Sequence, residues 1–341
     1  MIPFILVGLA AVILILQTVL TPKALGRLIC RDFFDMPLAE PDEKILYTGK
    51  LINNWFLPVV YINYVTYLPE GTRIEGQSAN RDGHRLFLMP HRSYSHTVAF
   101  SASKRGVYRK GRHYVEIGDF LGLKTLLRSD PLKVDITVMP RRCRDEAIIR
   151  TLGGYLGDIS VRRFILEDPV LTIGHLDYTG REPMNKISWK QSARVGQLMV
   201  KNNDHTMEVN AAVILNQASG SEAEKEKSFE IVRSVCEQLE EMKIPYSFLS
   251  NGDAGNLDEG FGERHFRALM TNLGRSRLTG FYSFENLTDR CCLLGKKTNR
   301  SYFFISPPLS AKDREALSPL QQMAGADLIV LEAEVEQDAV N

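Results

Sequence analysis

The sequence predicts an α+β multidomain chain: an N-terminal transmembrane helix, an antiparallel β-sandwich, then an α/β domain built on a parallel sheet. Three observations carry this. The run from Ile2 to Leu20 holds no charged residue; residues 45–140 read as short β-branched and aromatic segments; and beyond residue 141 strand and helix patterns alternate. A length of 341 residues suits two or three domains. The 42 basic and 41 acidic residues nearly cancel, which argues against a general nucleic-acid binder with a dominant positive field. Five cysteines, three far apart and Cys291–Cys292 adjacent, make neither a disulfide scaffold nor a zinc spacing.

The first element, residues 1–22, is read as an uncleaved anchor. Roughly 20 helical residues cross the hydrocarbon core, and a helix bonds its own backbone in lipid. A secretory signal would carry a basic region before the apolar run; here the basic residues Lys23, Arg27 and Arg31 follow it. That flank predicts a single-pass protein of the cell membrane, held in the bilayer through residues 2–20, with its N-terminus outside and its C-terminal domains in the cytoplasm.

The second element, residues 45–140, is the predicted sandwich. Leu57–Tyr67 is rich in β-branched and aromatic residues and stops at Pro69-Glu-Gly71. Arg85–Met89 is short and apolar, and Ser95–Ser101, Val107–Ile117 and Val134–Val138 alternate with period two. His91 and His96 fall here and read as turn or edge residues. Residues 141–173 form a connecting helix and linker, with Ile148, Ile149, Leu152 and Leu156 on its apolar side.

The third element, residues 174–341, alternates strand and helix. Glu208–Leu215 contains Ala-Ala-Val-Ile-Leu, a buried central strand. Phe229, Val232, Val235, Leu239 and Met242 line one face of the next helix. Ile244–Leu249 is a strand, Phe266–Leu273 a helix ended by Gly274, and Ser301–Ile305 a strand. Ser310–Asp313 is a capping-box start for a helix to Met323, and Asp327–Ala333 is a last strand.

Ligands of open α/β sheets bind at the carboxyl ends of the strands. After Leu215 come Asn216, Ser219 and Ser221, oxygen donors for a hard cation, but without the carboxylate that a good Mg²⁺ site needs. The competing reading is a loop whose Ser219 or Ser221 caps the following helix. Gly295–Thr298 lacks the first glycine of a phosphate loop, and no other catalytic motif is present. The segment Gly174–Arg194 crowds turn formers, charge, Trp189 and Arg194 together. It reads either as a structural lock or as a docking surface, since Trp and Arg are favoured interface anchors.

At this segment the chain resembles a bacterial family, domain of unknown function 58. Asp177-Tyr178 resembles part of its R-E-Y motif, Lys186-Ile-Ser-Trp189 its R-x-I-D-W, and Ser192-Ala-Arg194 its S-A-R, with Leu198–Lys201 the strand that follows. Upstream, Arg105-Gly-Val-Tyr108, Asp119–Leu123 and Val138-Met-Pro140 resemble its R-G-x-Y, D-P-F-G-L and V-Y-P elements. Leu176, Gly180-Arg-Glu182 and Ser188 depart from the pattern. The resemblance implies a von Willebrand factor A-like α/β domain. Against the metal-binding Asp-x-Ser-x-Ser loop of such domains, Asn216, Ala218 and Gly220 stand at the ligand positions, so the metal site is degenerate.

The resemblance further implies a MoxR-type AAA+ ATPase partner. Together these readings lead to the expectation of a non-enzymatic, membrane-anchored adaptor in assembly or maturation of envelope proteins, with no cofactor and no nucleic-acid partner. Asp177, Tyr178, Trp189, Ser192 and Arg194 form the lock or docking surface. The alternatives are a metal-dependent adhesion-type binding module and a hydrolase with a dispersed Ser/His/Asp site.

Overall fold

The computed structural model describes residues 19–76, 79–119, 124–133, 135–165, 172–180, 182–203, 210–293 and 300–335. The chain divides into two units. One runs to Arg141 and takes in Leu273–Arg275; the other comprises Arg142–Asn272 and Ser276–Asn341.

The first unit opens with helical residues 19–27 (α1). It continues through β1 (Leu28–Phe34), β2 (Leu38–Ala39), β3 (Ile45–Asn53), β4 (Val59–Tyr67), β5 (Thr72–Ile74), β6 (Arg81–Leu88), β7 (Ser93–Ala102), β8 (Gly106–Tyr108), β9 (Arg112–Gly118), β10 (Thr125–Pro131) and β11 (Ile136–Val138). One antiparallel sheet has the order β1-β3-β7-β5 and the other β10-β9-β4-β6; β2, β11 and β8 form a small third sheet. Period-two burial makes the sandwich. On β3 the inward positions are Ile45, Tyr47, Gly49, Leu51 and Asn53, and on β9 they are His113, Val115 and Ile117.

The interior is not uniformly apolar. One cluster gathers Ile45, Tyr47, Leu68, Phe100 and Ile136. Another gathers Leu28, Leu51, Ile62, Tyr64, Val115 and Ile117. Between them, by strand alternation, fall Asp32, Gly49, Thr66, Asp82, His96 and His113, a polar layer across the core.

The expected membrane-spanning helix is corrected here. Among the described residues no helix is long and apolar enough to cross a membrane. Residues 1–18, most of the apolar run, lie outside the described residues. What is described of that region, α1, carries Lys23 and Arg27, buries Ala24 in the sandwich core and leads directly into β1. Arg128 on β10 donates to the carbonyls of Leu25 and Leu28, closing the open C-terminal end of α1. These contacts belong to a sandwich element, and the single-pass localisation drawn from the apolar run is corrected with it: no described helix crosses a membrane.

The second unit contains α2 (Glu146–Ile165), a hairpin of β12 (Thr172–Asp177) and β13 (Met199–Asn203) with α3 (Trp189–Val195) between its strands, and one larger sheet. That sheet has the order β16-β15-β14-β17-β18, from β14 (Asn210–Leu215), β15 (Tyr246–Ser250), β16 (Leu257–Gly260), β17 (Arg300–Ser306) and β18 (Leu328–Glu332). Its helices are α4 (Glu222–Glu241), α5 (Glu263–Arg275), α6 (Phe284–Leu293) and α7 (Ala311–Ala324). Every residue of β17 is buried, and so is all of β14 after Asn210, as strands covered on both faces require. Phe284, Leu287 and Cys291 of α6, with Leu317 and Leu320 of α7, pack on Ala212, Ile214, Tyr302 and Phe304.

The wholly parallel, von Willebrand A-like core is also corrected. The chain is β-rich, and its α/β part rests on one mixed sheet in which β16 pairs antiparallel with β15. The reason is the connection. Residues 251–256 are too few for a parallel crossover, which needs a dozen or more, so the chain turns back along the sheet edge. The polar strand Leu257-Asp-Glu-Gly260 gives no apolar alternation that would announce it.

The second unit's helix starts follow local chemistry. Ser310 accepts from the Asp313 backbone N–H, and Asp313 accepts in return from the Ser310 N–H. Ser310→Ala is therefore expected to lower stability by about 1 kcal/mol in urea unfolding, and Ser310→Asp to recover most of the loss.

Candidate functional site

The carboxyl ends of β14, β15 and β17 meet where the strand order reverses, the usual crevice for a ligand in such sheets. Here the crevice is filled by side-chain hydrogen bonds. Asn216 donates through Nδ2 to Ser219 Oγ at 3.0 Å and Ser306 Oγ at 2.9 Å. Its Oδ1 accepts from the Ala218 N–H at 3.0 Å and Asn251 Nδ2 at 2.9 Å. Both donors and both lone pairs of the amide are thus used. Gln217 is buried alongside: Oε1 accepts from Ser250 Oγ at 2.6 Å, and Nε2 donates to Ser276 Oγ at 3.1 Å and Asp253 Oδ1 at 3.3 Å. Asp253, the carboxylate nearest the loop in this network, also accepts from Ser276 Oγ and from the Arg277 N–H.

Of the three residues of the degenerate metal loop, the structure brings Asn216 and Ser219 together and sets Ser221 apart. Ser221 is the N-cap of α4, in a capping box with Glu224. For Asn216 to ligate a cation, its oxygen would have to release two hydrogen bonds in a buried setting.

The segment 174–201 resolves differently along its length. Ser192 is buried; its hydroxyl donates to the Ser188 carbonyl at 2.9 Å and accepts from the Met199 N–H at 2.8 Å, tying α3 to β13. Asp177 is exposed and accepts from Gln197 Nε2 at 2.9 Å, while Tyr178 is half-buried and donates its N–H to the Leu198 carbonyl. Trp189, at the first position of α3, is 63% exposed, and Arg194 in the last turn is exposed too. Leu176 and Met184 are similarly open at 59% and 68%. Ser192 is the lock in this segment; Trp189 is not part of it.

Sequence reading did not find the polar layer of the sandwich. His113 is fully buried, with Nε2 2.7 Å from Asp32 Oδ1 and Nδ1 within 3.2 Å of Tyr64 Oη and 3.1 Å of Thr66 Oγ1. An N–H on Nε2 donating to Asp32 leaves Nδ1 one lone pair, shared between the two hydroxyls. Tyr47 Oη donates to the same carboxylate oxygen at 3.1 Å, and the Lys133 N–H reaches its other oxygen. Burial by itself would raise the Asp32 carboxyl, but the hydrogen bond and electrostatic attraction of His113 and these other donors outweigh it and hold the group below its usual value. Thr66, His113 and Asp32 have the connectivity of a hydroxyl–imidazole–carboxylate relay, yet enclosed between two apolar clusters they offer a substrate no approach.

Beside this relay, His96 on β7 faces Asp82 and His84 on β6. Burial, and then the neighbouring His84, pull His96 down to about 4 against the pull of Asp82. His91, by contrast, is an exposed turn residue with φ of 56°. A Asp-x-His spacing on a strand places both side chains on one face, and that was the available signal.

Comparison with known proteins gives no family-model match and no match among curated proteins. Among solved structures, similarity is low and is confined to about a third of this chain. The CARDB domain of a Pyrococcus furiosus protein, solved in complex with di-metal ions, is 12% identical over 33% of this chain and 91% of that one, with a TM-score of 0.24. The GAE domain of GGA2p from Saccharomyces cerevisiae is 12% identical over 32% and 91%, with a TM-score of 0.23. Trypsin-activated alpha-2-macroglobulin from Escherichia coli is 15% identical over 34% and 7%, with a TM-score of 0.24.

The Asp32 arrangement predicts an acid-sensitive core. A carboxyl lowered in the folded state contributes stability that is present above about pH 4 and lost as pH falls through the folded value. Trp55 fluorescence in a Trp189→Phe background reports the first unit alone, because the chain has 2 tryptophans. In urea unfolding, Asp32→Asn is expected to cost about 1–3 kcal/mol at pH 7 and to remove this acid-dependent component. Parallel pH profiles for the two proteins would contradict the assignment.

Proposed function

We propose that the chain is a non-enzymatic protein-binding adaptor or scaffold, with the exposed face of the β12–β13 hairpin and α3 as its docking surface. The observation that carries this reading is the exposure of Trp189, Leu176 and Met184 on a frame that Ser192 fixes by backbone hydrogen bonds. Large apolar side chains presented on a rigid frame lose little conformational entropy on binding, and tryptophan is the residue most often found as an interface anchor. The filled crevice at the strand ends supports the same reading, since its polar atoms are spent on one another. The partner proposed is a MoxR-type AAA+ ATPase; what supports it is the resemblance of Lys186–Trp189 and Ser192–Arg194 to the family motifs.

Two substitutions separate surface from frame. Trp189→Ala is expected to leave the urea midpoint nearly unchanged and to weaken capture of an AAA+ ATPase, with or without ATP, by tenfold or more (about 1.4 kcal/mol). Ser192→Ala is expected to lower stability by about 1–2 kcal/mol, because it leaves the Met199 N–H without its acceptor. Retention of the ATPase by Trp189→Ala, or failure of the unaltered chain to recover any, would count against the proposal.

A further inference from the structure

The polar layer contains one group that hydrogen bonding does not explain. His96 has a side chain only 5% exposed, yet neither of its ring nitrogens has a hydrogen-bond partner. Its Nε2 lies 3.3 Å from Asp82 Oδ2 without forming a hydrogen bond, and the same oxygen accepts from His84 Nε2 at 2.8 Å. The imidazole is held there by design of the neighbouring strand. Gly49 stands opposite His96 in the β3–β7 register, and a Cβ at that position would come within 2.5 Å of His96 Cε1 and 2.7 Å of Tyr47 Oη. The rings of Tyr47 and Tyr64 meet His96 edge-on, and Tyr94 stacks on it. A buried imidazole with no partner costs on the order of 1–3 kcal/mol for each polar atom left unsatisfied, so a site that pays for it and clears space around it calls for a ligand.

We propose that Asp82, His84 and His96 bind one divalent transition-metal ion of the Zn²⁺ class, joining β6 of one sheet to β7 of the other. Among the described residues, this trio brings three ligand atoms of the metal-binding type within 4.8 Å of one another. Bonds of about 2.0–2.2 Å to nitrogen and oxygen put tetrahedral ligand atoms roughly 3.3–3.5 Å apart. The His96–Asp82 separation already matches, and the His84–Asp82 pair needs to open by about half an ångström. Two imidazoles and a carboxylate suit Zn²⁺ or Co²⁺ better than Mg²⁺ or Ca²⁺, which prefer all-oxygen sites. His84, with its side chain 30% exposed, marks the solvent side, and three protein ligands leave the fourth position to water. The site is independent of the docking surface on the second unit, and departs from the expectation, drawn from the sequence, of a chain without a metal.

The test is a Co²⁺ titration of the full chain after treatment with a chelator, read by visible absorption and by competition with Zn²⁺. Expected is uptake of one equivalent, with d–d bands of a low-coordinate nitrogen–oxygen site and no thiolate charge-transfer band; the latter separates the site from the five cysteines. His84→Ala, at the most exposed ligand, is expected to stay folded without metal, at some cost from the lost bond to Asp82, and to bind at least about tenfold more weakly; Asp82→Asn serves as the second variant. Absorption at millimolar Co²⁺ no stronger than that of the aqueous ion, or binding unchanged in both variants, overturns the proposal.

Discussion

The pair formed by His113 and Asp32 lies inside the sandwich with almost no access to water, and much of the first unit is arranged to satisfy it. A carboxylate and an imidazole in that position cost several kcal/mol unless every lone pair and proton is met. Tyr47 comes from β3, Tyr64 and Thr66 from β4, His113 from β9, Asp32 from β1, so the network spans both sheets. A register slip of one residue in any of these strands would turn its polar group outward and leave the others unpaired. The apolar clusters on either side supply burial; the polar layer specifies which strands face one another.

The second unit applies the same constraint to a different end. At the strand-order reversal, where an open α/β sheet usually keeps room for a ligand, Asn216 and Gln217 turn the room inward. Each amide bridges the ends of neighbouring strands, with Asn216 reaching Ser306 on β17 and Gln217 reaching Ser250 on β15. Gly252 makes this approach possible, since a side chain there would run into Gln217. The crevice is therefore a joint, and the proposed docking surface lies elsewhere, on the hairpin, where Trp189 is exposed on the helix that Ser192 ties to β13.

How far the sequence conveyed this depends on the range of the interaction. Buried runs such as Ala211–Leu215, the apolar stripe of α4, the Ser310–Asp313 cap and the alternation through β7 are local patterns, and they were readable. Strands β1 and β10 were not, because Asp32, Arg128 and Asp130 interrupt the inward apolar positions for reasons that lie elsewhere in the fold, as with the Arg128 contact to the end of α1. The cap role of Ser221 was legible as a candidate, whereas two of the partners of Asn216, Asn251 and Ser306, lie 35 and 90 residues away and were not. Asp82 and His84 announce a shared strand face, but that His96 meets them across the sandwich depends on the pairing of two sheets. The apolar run at the N-terminus shows the opposite hazard: a strong local signal whose consequences the described structure does not carry.

The central claim is that His113 is fixed between Asp32 and the Tyr64 and Thr66 hydroxyls, and a long-range ¹H–¹⁵N NMR spectrum of the histidine rings tests it most directly. The account predicts one ring locked as a single tautomer with its proton on Nε2, its N–H protected from exchange with solvent, and that signal lost or shifted in Asp32→Asn. Seven histidine rings all averaging between tautomers, with no protected ring N–H, would contradict it.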